Sequence, residues 1–456
     1  MDAKPWGTGQ TPRSMKLGAS DESHQGKEEP MHVTKKILGI TCAVAALVSV
    51  SACGSSGGGT TADGKKEVSF QTWNLKNDTY TPYFNDLIAA FEKENPDVKI
   101  KWIDQPADGY TDKINADAAA GTLPDIVDMS PNGAYSLAKA GVLMNLSTEA
   151  PDAAKQFTKS SWDAVTFKGE NIEKGAYAFP WYLNSGVQYY NKKVLTQCGI
   201  DALPQNMDEF FAAASTLGKN CAGTTMVAST PTIESLGQYG AKLMNEDQTA
   251  FTFNDAKGVE LVQHYIDMYN EKSLSADALN NLWTGEGDAF KQGSVASLAG
   301  SAYSVSDFEE NAKELYKNLG ITERLLGEGG KMNVAMETLV VSKNAKNKEE
   351  ALKFAEFVTN KENQTKFCKS SHTFPSAKGA VEDPAFSPTG DSMQDQAVKL
   401  ASKAVLDDDW FASPAPFSEN AKNSLREQIA LAIQGKQSAQ EALDKVVKIA
   451  NEDLNS

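Results

Sequence analysis

Of the seven tryptophans in this 456-residue chain, Trp73, Trp181, Trp283 and Trp410 fall at the ends of predicted strands or in polar loops. An indole in such a place offers a flat apolar wall to a pyranose ring, while amides and carboxylates beside it bond the ring hydroxyls. Asn74, next in sequence to Trp73, supplies such a polar neighbour. Trp102 alternates with lysines and reads as core, and Trp162 fits either role. Each indole alone is explained equally well by packing; together they favour a carbohydrate cleft.

Other chemistry is scarce. Arg13, Arg324 and Arg426 are all the arginines, and His24, His32, His264 and His372 all the histidines. A His-rich metal site, or a bidentate Arg clamp on a strongly anionic ligand, has little to draw on, so a neutral polar ligand fits better. There is no Walker-A loop, HExxH or CxxC, and Gly285-Glu286-Gly287 lacks the third glycine of a dinucleotide fingerprint. His264 lies inside a helical pattern and Asp407-Asp408-Asp409 reads as a solvated loop. Neither a metal, a cofactor nor a catalytic residue is expected. Paired carboxylates stay open, because spacing along a chain does not give separation in space; a surface-anchored carbohydrate-active enzyme is therefore the alternative reading.

Composition sets the frame. With 44 basic against 60 acidic side chains, a net charge of −16 and 41% apolar residues, the chain reads as a globular protein of two or three domains. That charge argues against a nucleic-acid partner, whose phosphates need clustered Lys and Arg.

Lys35 and Lys36 precede an apolar run from Ile37 to Val50, too short for a bilayer that needs roughly 20 residues. Basic, apolar and small-residue regions in that order make residues 31–52 a signal peptide. Val50-Ser51-Ala52-Cys53 resembles the bacterial lipobox, which implies acylation of Cys53 and a lipid anchor on the outer face of the cell membrane; a plain secreted protein is the alternative. Residues 1–30 lack apolar periodicity and are expected to be a mis-called extension ahead of Met31. Residues 53–66 read as anchor and flexible Gly/Ser/Thr tether. In an exported protein Cys198 and Cys221, which flank one helical segment, are the expected disulfide, with buried free thiols as the alternative.

From Glu67 strands and helices alternate. Val68 to Trp73, Val98 to Trp102 and Asp125 to Met129 read as strands, separated by a helix from Thr81-Pro82 to Asn95-Pro96 and another from Tyr110 to Ala120, stopped by Gly121. A βαβαβ run implies a parallel sheet whose ligand crevice lies beyond the strands' carboxyl ends. Trp73 and Asn74, Asp104 and Gln105, and Asp128 to Asn132 are the residues so placed. A strand near Val187 to Tyr190 crosses to another lobe, Asn206 with Glu209 caps a further helix, and Val334 to Ser342 reads as a late strand, followed by helices at Lys348 to Thr359, Ser424 to Ile433 and Ala439 to Ile449.

Several stretches resemble a known family. Phe84-Asn85-Asp86-Leu87-Ile88-Ala89-Ala90-Phe91-Glu92-Lys93-Glu94-Asn95-Pro96, Gly121-Thr122-Leu123-Pro124-Asp125-Ile126-Val127, Tyr189-Tyr190-Asn191-Lys192, Ala289-Phe290-Lys291-Gln292-Gly293 and Gly435 to Leu443 are similar, in this order, to extracellular solute-binding lipoproteins of carbohydrate ABC importers, in the maltose/maltodextrin-binding branch. The resemblance implies an α/β, two-lobe periplasmic-binding-protein-like fold. Each lobe would hold a mostly parallel sheet flanked by helices, with the ligand cleft at the hinge: residues 67–178 plus 321–372 as lobe 1, and 179–320 plus 373–456 as lobe 2. It implies a monomer that binds a neutral oligosaccharide without catalysis and docks on the transmembrane subunits of an ABC permease. By position it points to Trp73, Asn132, Trp181, Tyr182 and Trp410 as ligand contacts; Asn74, past the end of the first strand, and Trp283, in a polar loop, join them on the residue reading above. Tyr303 stands near the family's stacking Trp, and Glu337 replaces one of a glycine pair.

Overall fold

The computed structural model describes residues 59–169, 171–280 and 285–456; the signal segment, Cys53 and Trp283 lie outside them. The expected βαβαβ run is present. It comprises β1 (Lys66–Trp73), α1 (Thr81–Glu94), β2 (Val98–Gln105), α2 (Tyr110–Ala120) and β3 (Ile126–Met129), followed by α3 (Pro131–Lys139). Local chemistry sets the limits: Pro82 opens α1, which buries Phe84, Leu87 and Phe91. Gly121 closes α2 at φ 70°, a left-handed turn a side chain would strain. Asp125 accepts from Ser69 N and Oγ, both at 2.7 Å, and pins β3 beside β1.

The chain then trades between two sheets. Strand β4 (Phe179–Asn184) stays with the first sheet, while β5 (Gly186–Asn191), β6 (Ser297–Ser301) and β7 (Leu319–Thr322) build a second. Strands β8 (Ala335–Val341) and β9 (Phe374–Pro375) return to the first, whose order is β9-β4-β8-β3-β1-β2. Neither sheet is mostly parallel: the first is mixed and the second antiparallel throughout. Helical crossovers make β1 parallel to β2 and β3. Strand β8 instead enters from the other sheet, at the carboxyl edge of β3, and runs antiparallel to β3 and β4. In the second sheet β5 is antiparallel to both neighbours. The switch points also move: Phe179–Asn184 and Phe374–Pro375 pair in the first sheet, and Leu319–Thr322 in the second. The crossovers therefore fall at Ser185, after Thr322 and after Pro375, rather than before 179, 321 and 373.

Two apolar cores result. The first packs Phe70, Phe84, Trp181, Phe354 and Phe367 behind the larger sheet; the second joins Phe211, Leu236, Phe251, Leu261, Ile429 and Leu443. Cys198 and Cys221 form the expected disulfide across the helix Met207–Asn220, and Cys368 is a buried free thiol. The far end of the expected tether is docked rather than loose: Gly59 O accepts from Glu67 N at 2.9 Å and from Asn347 Nδ2 at 2.6 Å. Among the described residues no helix is long and apolar enough to cross a membrane.

Candidate ligand cleft

The carboxyl edge of β1, β2 and β3 gathers aromatic rings around acidic groups. Trp73 ends β1, partly buried, with its ring 6.5 Å from that of Tyr110. Asp104, from β2, accepts from Thr72 Oγ1 at 2.6 Å and Leu75 N at 3.0 Å. Asp128, on β3, is fully buried, and neither of its carboxylate oxygens has a hydrogen-bond partner. Tyr110 donates its hydroxyl to the Asp128 backbone carbonyl at 2.7 Å, and Thr338 Oγ1 donates to Met129 O at 2.7 Å, which locks β8 against β3.

Strands β4 and β8 carry the other half. Asn184 lies opposite Ala335 and Tyr182 opposite Glu337, so these four side chains share one face. Oε2 of Glu337 is buried without a partner. Burial, then the charges of Glu337 and Asp104, hold the Asp128 carboxyl well above the usual carboxylate range. Burial pushes Glu337 up to about 8. Burial, then the charges of Asp128 and Glu337, raise the hydroxyls of Tyr110 and Tyr182. None of the ion pairs among the described residues involves Asp104, Asp128 or Glu337. Both carboxylate oxygens of Asp128 and Oε2 of Glu337 are thus buried acceptors lacking donors, an arrangement that costs stability until something supplies them.

Beside that face, a cavity of about 370 Å³ opens at the crossover, lined by Asn184, Gly186, Glu234, Ser301, Arg324 and Ala335. Gly186 is required there, since a Cβ would lie 2.3 Å from Gly300 O. A larger cavity, about 700 Å³, lies between Tyr135, Ala164 and Phe167 on one side and Leu243, Trp410 and Phe411 on the other. The loop after Trp410 is clipped to the first lobe: Asn132 Nδ2 donates to the carbonyls of Ala415 at 3.0 Å and Phe417 at 3.2 Å. Ser413 Oγ donates to Glu234 at 2.6 Å.

The nine sequence candidates therefore separate. Trp73, Tyr182 and Glu337 converge around Asp128. Asn74 serves the turn after β1, at φ 52°, where its Oδ1 accepts from Ala107 N at 3.2 Å. Asn132 holds the loop that follows Trp410, and Trp410 is buried with its Nε1 unpartnered. Tyr303 stacks on His372 at 4.9 Å. Trp181 is fully enclosed, stacked on Phe367 at 4.9 Å, in the core rather than on the cleft wall; a register shift between Glu337 and Thr338 accompanies its placement. Trp283 lies outside the described residues. Sequence reasoning missed Tyr110, Asn184, Glu234 and Arg324; the one available signal was Asn184, a polar residue closing an apolar strand.

The model of the family described as bacterial extracellular solute-binding protein matches residues 77–365. The maltodextrin-binding protein MdxE of Bacillus subtilis is 25% identical over 439 residues, 93% of this chain and 99% of that protein. The galactooligosaccharide-binding protein of the same organism is 23% identical over 405 residues, 85% and 89% of the two chains. Among solved structures, the GacH receptor of Streptomyces glaucescens, described unliganded and with acarbose, superposes with a TM-score of 0.67 at 21% identity, covering 86% of this chain and 100% of its own. The cyclic α-maltosyl-1,6-maltose binding protein of Arthrobacter globiformis does so with a TM-score of 0.67 at 19% identity and the same coverage. With a family model matching well over half its length, on a two-lobe α/β frame, this chain belongs to the bacterial extracellular solute-binding proteins.

Proposed function

We propose that the protein is the extracytoplasmic receptor for a neutral oligosaccharide, which it delivers to the transmembrane subunits of an ABC-type importer. It acts as a monomer without catalysis, and an acylated Cys53 tethers it to the outer face of the membrane. The observation that carries this reading is the set of unpartnered carboxylate oxygens of Asp128 and Glu337 amid Trp73, Tyr110 and Tyr182. Sugar hydroxyls are the donors such acceptors lack, and the rings suit a pyranose face. Ligand touching both lobes favours the closed arrangement by differential affinity. The names of the Bacillus subtilis relatives point to the same ligand class.

The carboxylate pair also favours a second reading, a surface-anchored carbohydrate-active enzyme using two acids. A thermal-shift screen of residues 54–456 against mono- and oligosaccharides, with the mixtures then assayed for cleavage, separates the two. A saturable rise in melting temperature with the sugar recovered intact supports the receptor; cleaved sugar establishes the enzyme, and no shift with any sugar removes carbohydrate as the ligand class.

A further inference from the structure

Asp128 raises a question that sugar recognition alone does not answer. It is fully buried and has no hydrogen-bond partner, so it cannot be the group a ligand touches first. Glu337 can: it follows Ala335 on one face of β8, Ala335 lines the crossover cavity, and the residue keeps partial exposure. The two acids sit on adjacent strands whose register pairs Leu339 with Asp128 and Thr338 with Met129. The titratable groups that interact with the pair are all acids or phenols: Asp104 from β2, Tyr110 from α2 and Tyr182 from β4. Beyond Tyr182 come Tyr80 and the thiol of Cys368. Two adjacent buried carboxylates with no cation between them cannot both stay ionised at neutral pH.

Resting on the receptor reading above, we propose that Asp128 is a positioning residue for Glu337. The pair holds a single proton in the free protein, and ligand hydroxyls bonding to Glu337 expel it to solvent. The site is already desolvated before ligand arrives, so the dominant new influence on Glu337 is added hydrogen-bond donors, which favour its ionised form. Binding therefore releases a proton, and affinity rises with pH by up to about tenfold per unit across the window in which free and bound forms differ in protonation. No covalent bond forms or breaks; one O–H bond of the carboxyl is exchanged for hydroxyl donors of the ligand.

The test has two arms on residues 54–456. In the free protein at pH 7, infrared difference spectra of wild type against Glu337→Gln should show a protonated carboxyl band, which Asp128→Asn abolishes or moves. Circular dichroism confirms that each variant is folded. In the second arm, maltodextrin and galacto-oligosaccharide mixtures are titrated by calorimetry in two buffers of different ionisation enthalpy. Proton release in wild type, lost together with the pH slope in Asp128→Asn, supports the proposal; a merely structural role for Asp128 would lower affinity equally at every pH. Absence of the carboxyl band overturns the pair's single proton, whatever binds. Binding with no proton exchange, or with uptake, overturns the coupling while the receptor reading stands. If neither mixture binds, the receptor reading fails for those sugars and the coupling with it, while the band still decides the pair's single proton.

Discussion

Raising the pH of the ligand-free protein from 5 to 8 should destabilise it, against the usual behaviour of an acidic protein. Glu337 is raised from 4.5 to about 8 by burial, and Asp128 is displaced in the same direction. Across that window the folded state holds a proton that the unfolded chain has released. The contribution is therefore fully present below the ordinary carboxylate pKa and is lost as pH climbs through about 8. At about 1.4 kcal/mol per pH unit the whole span sets a ceiling near 5 kcal/mol. Because Glu337 is partly exposed and its pair with Asp128 holds a single proton, roughly 2–3 kcal/mol is the effect to look for. Urea unfolding of residues 54–456 at half-unit steps of pH measures it, with Glu337→Gln alongside. The variant should match wild type within about 1 kcal/mol at pH 5 and exceed it by roughly 2 kcal/mol at pH 8, since the amide carries no charge to bury. A wild-type stability that is flat or rising from pH 5 to 8, or a variant that loses stability equally at both ends, would refute the reasoning.

Three further outcomes follow from particular contacts. Trp181→Ala should cost roughly 3–5 kcal/mol, because the indole is enclosed among Phe70, Phe84 and Phe367; unfolding in urea reads it, and a loss under 1 kcal/mol would put the ring outside the core. Asn132→Ala removes the donor that joins the first lobe to the carbonyls of Ala415 and Phe417. The ligand-free protein should then lose about 1 kcal/mol and show a larger radius of gyration in solution scattering, whereas an unchanged radius would deny the clip a role in holding the lobes. Replacing Cys198 and Cys221 by Ala should lower stability by about 3 kcal/mol, reported by the shift of the urea midpoint.

Local signals made the first half of the larger sheet legible. The apolar stripe Phe84, Leu87, Phe91 and the stops at Asn95-Pro96 and Gly121 depend only on neighbours along the chain. The crossovers were not legible to that depth. Phe179–Asn184 is buried on both faces up to its last residue, so alternation does not say which sheet it joins or which face of Trp181 meets solvent. Strand ends did point to Asp104 and Asp128, yet nothing near Asp128 announces Glu337: their strands are joined by contacts such as Thr338 to Met129, 209 residues apart. The partners of Asn132, the carbonyls 283 and 285 residues further on, likewise leave no mark in its own surroundings along the chain.

The most direct test of the central claim is calorimetric titration of residues 54–456 with maltodextrins and galacto-oligosaccharides, followed by chromatography of the recovered sugar. Saturable binding at one site per chain, with every sugar returned intact, is the predicted result. Cleaved sugar, or the absence of heat with every oligosaccharide offered, would contradict a non-catalytic oligosaccharide receptor.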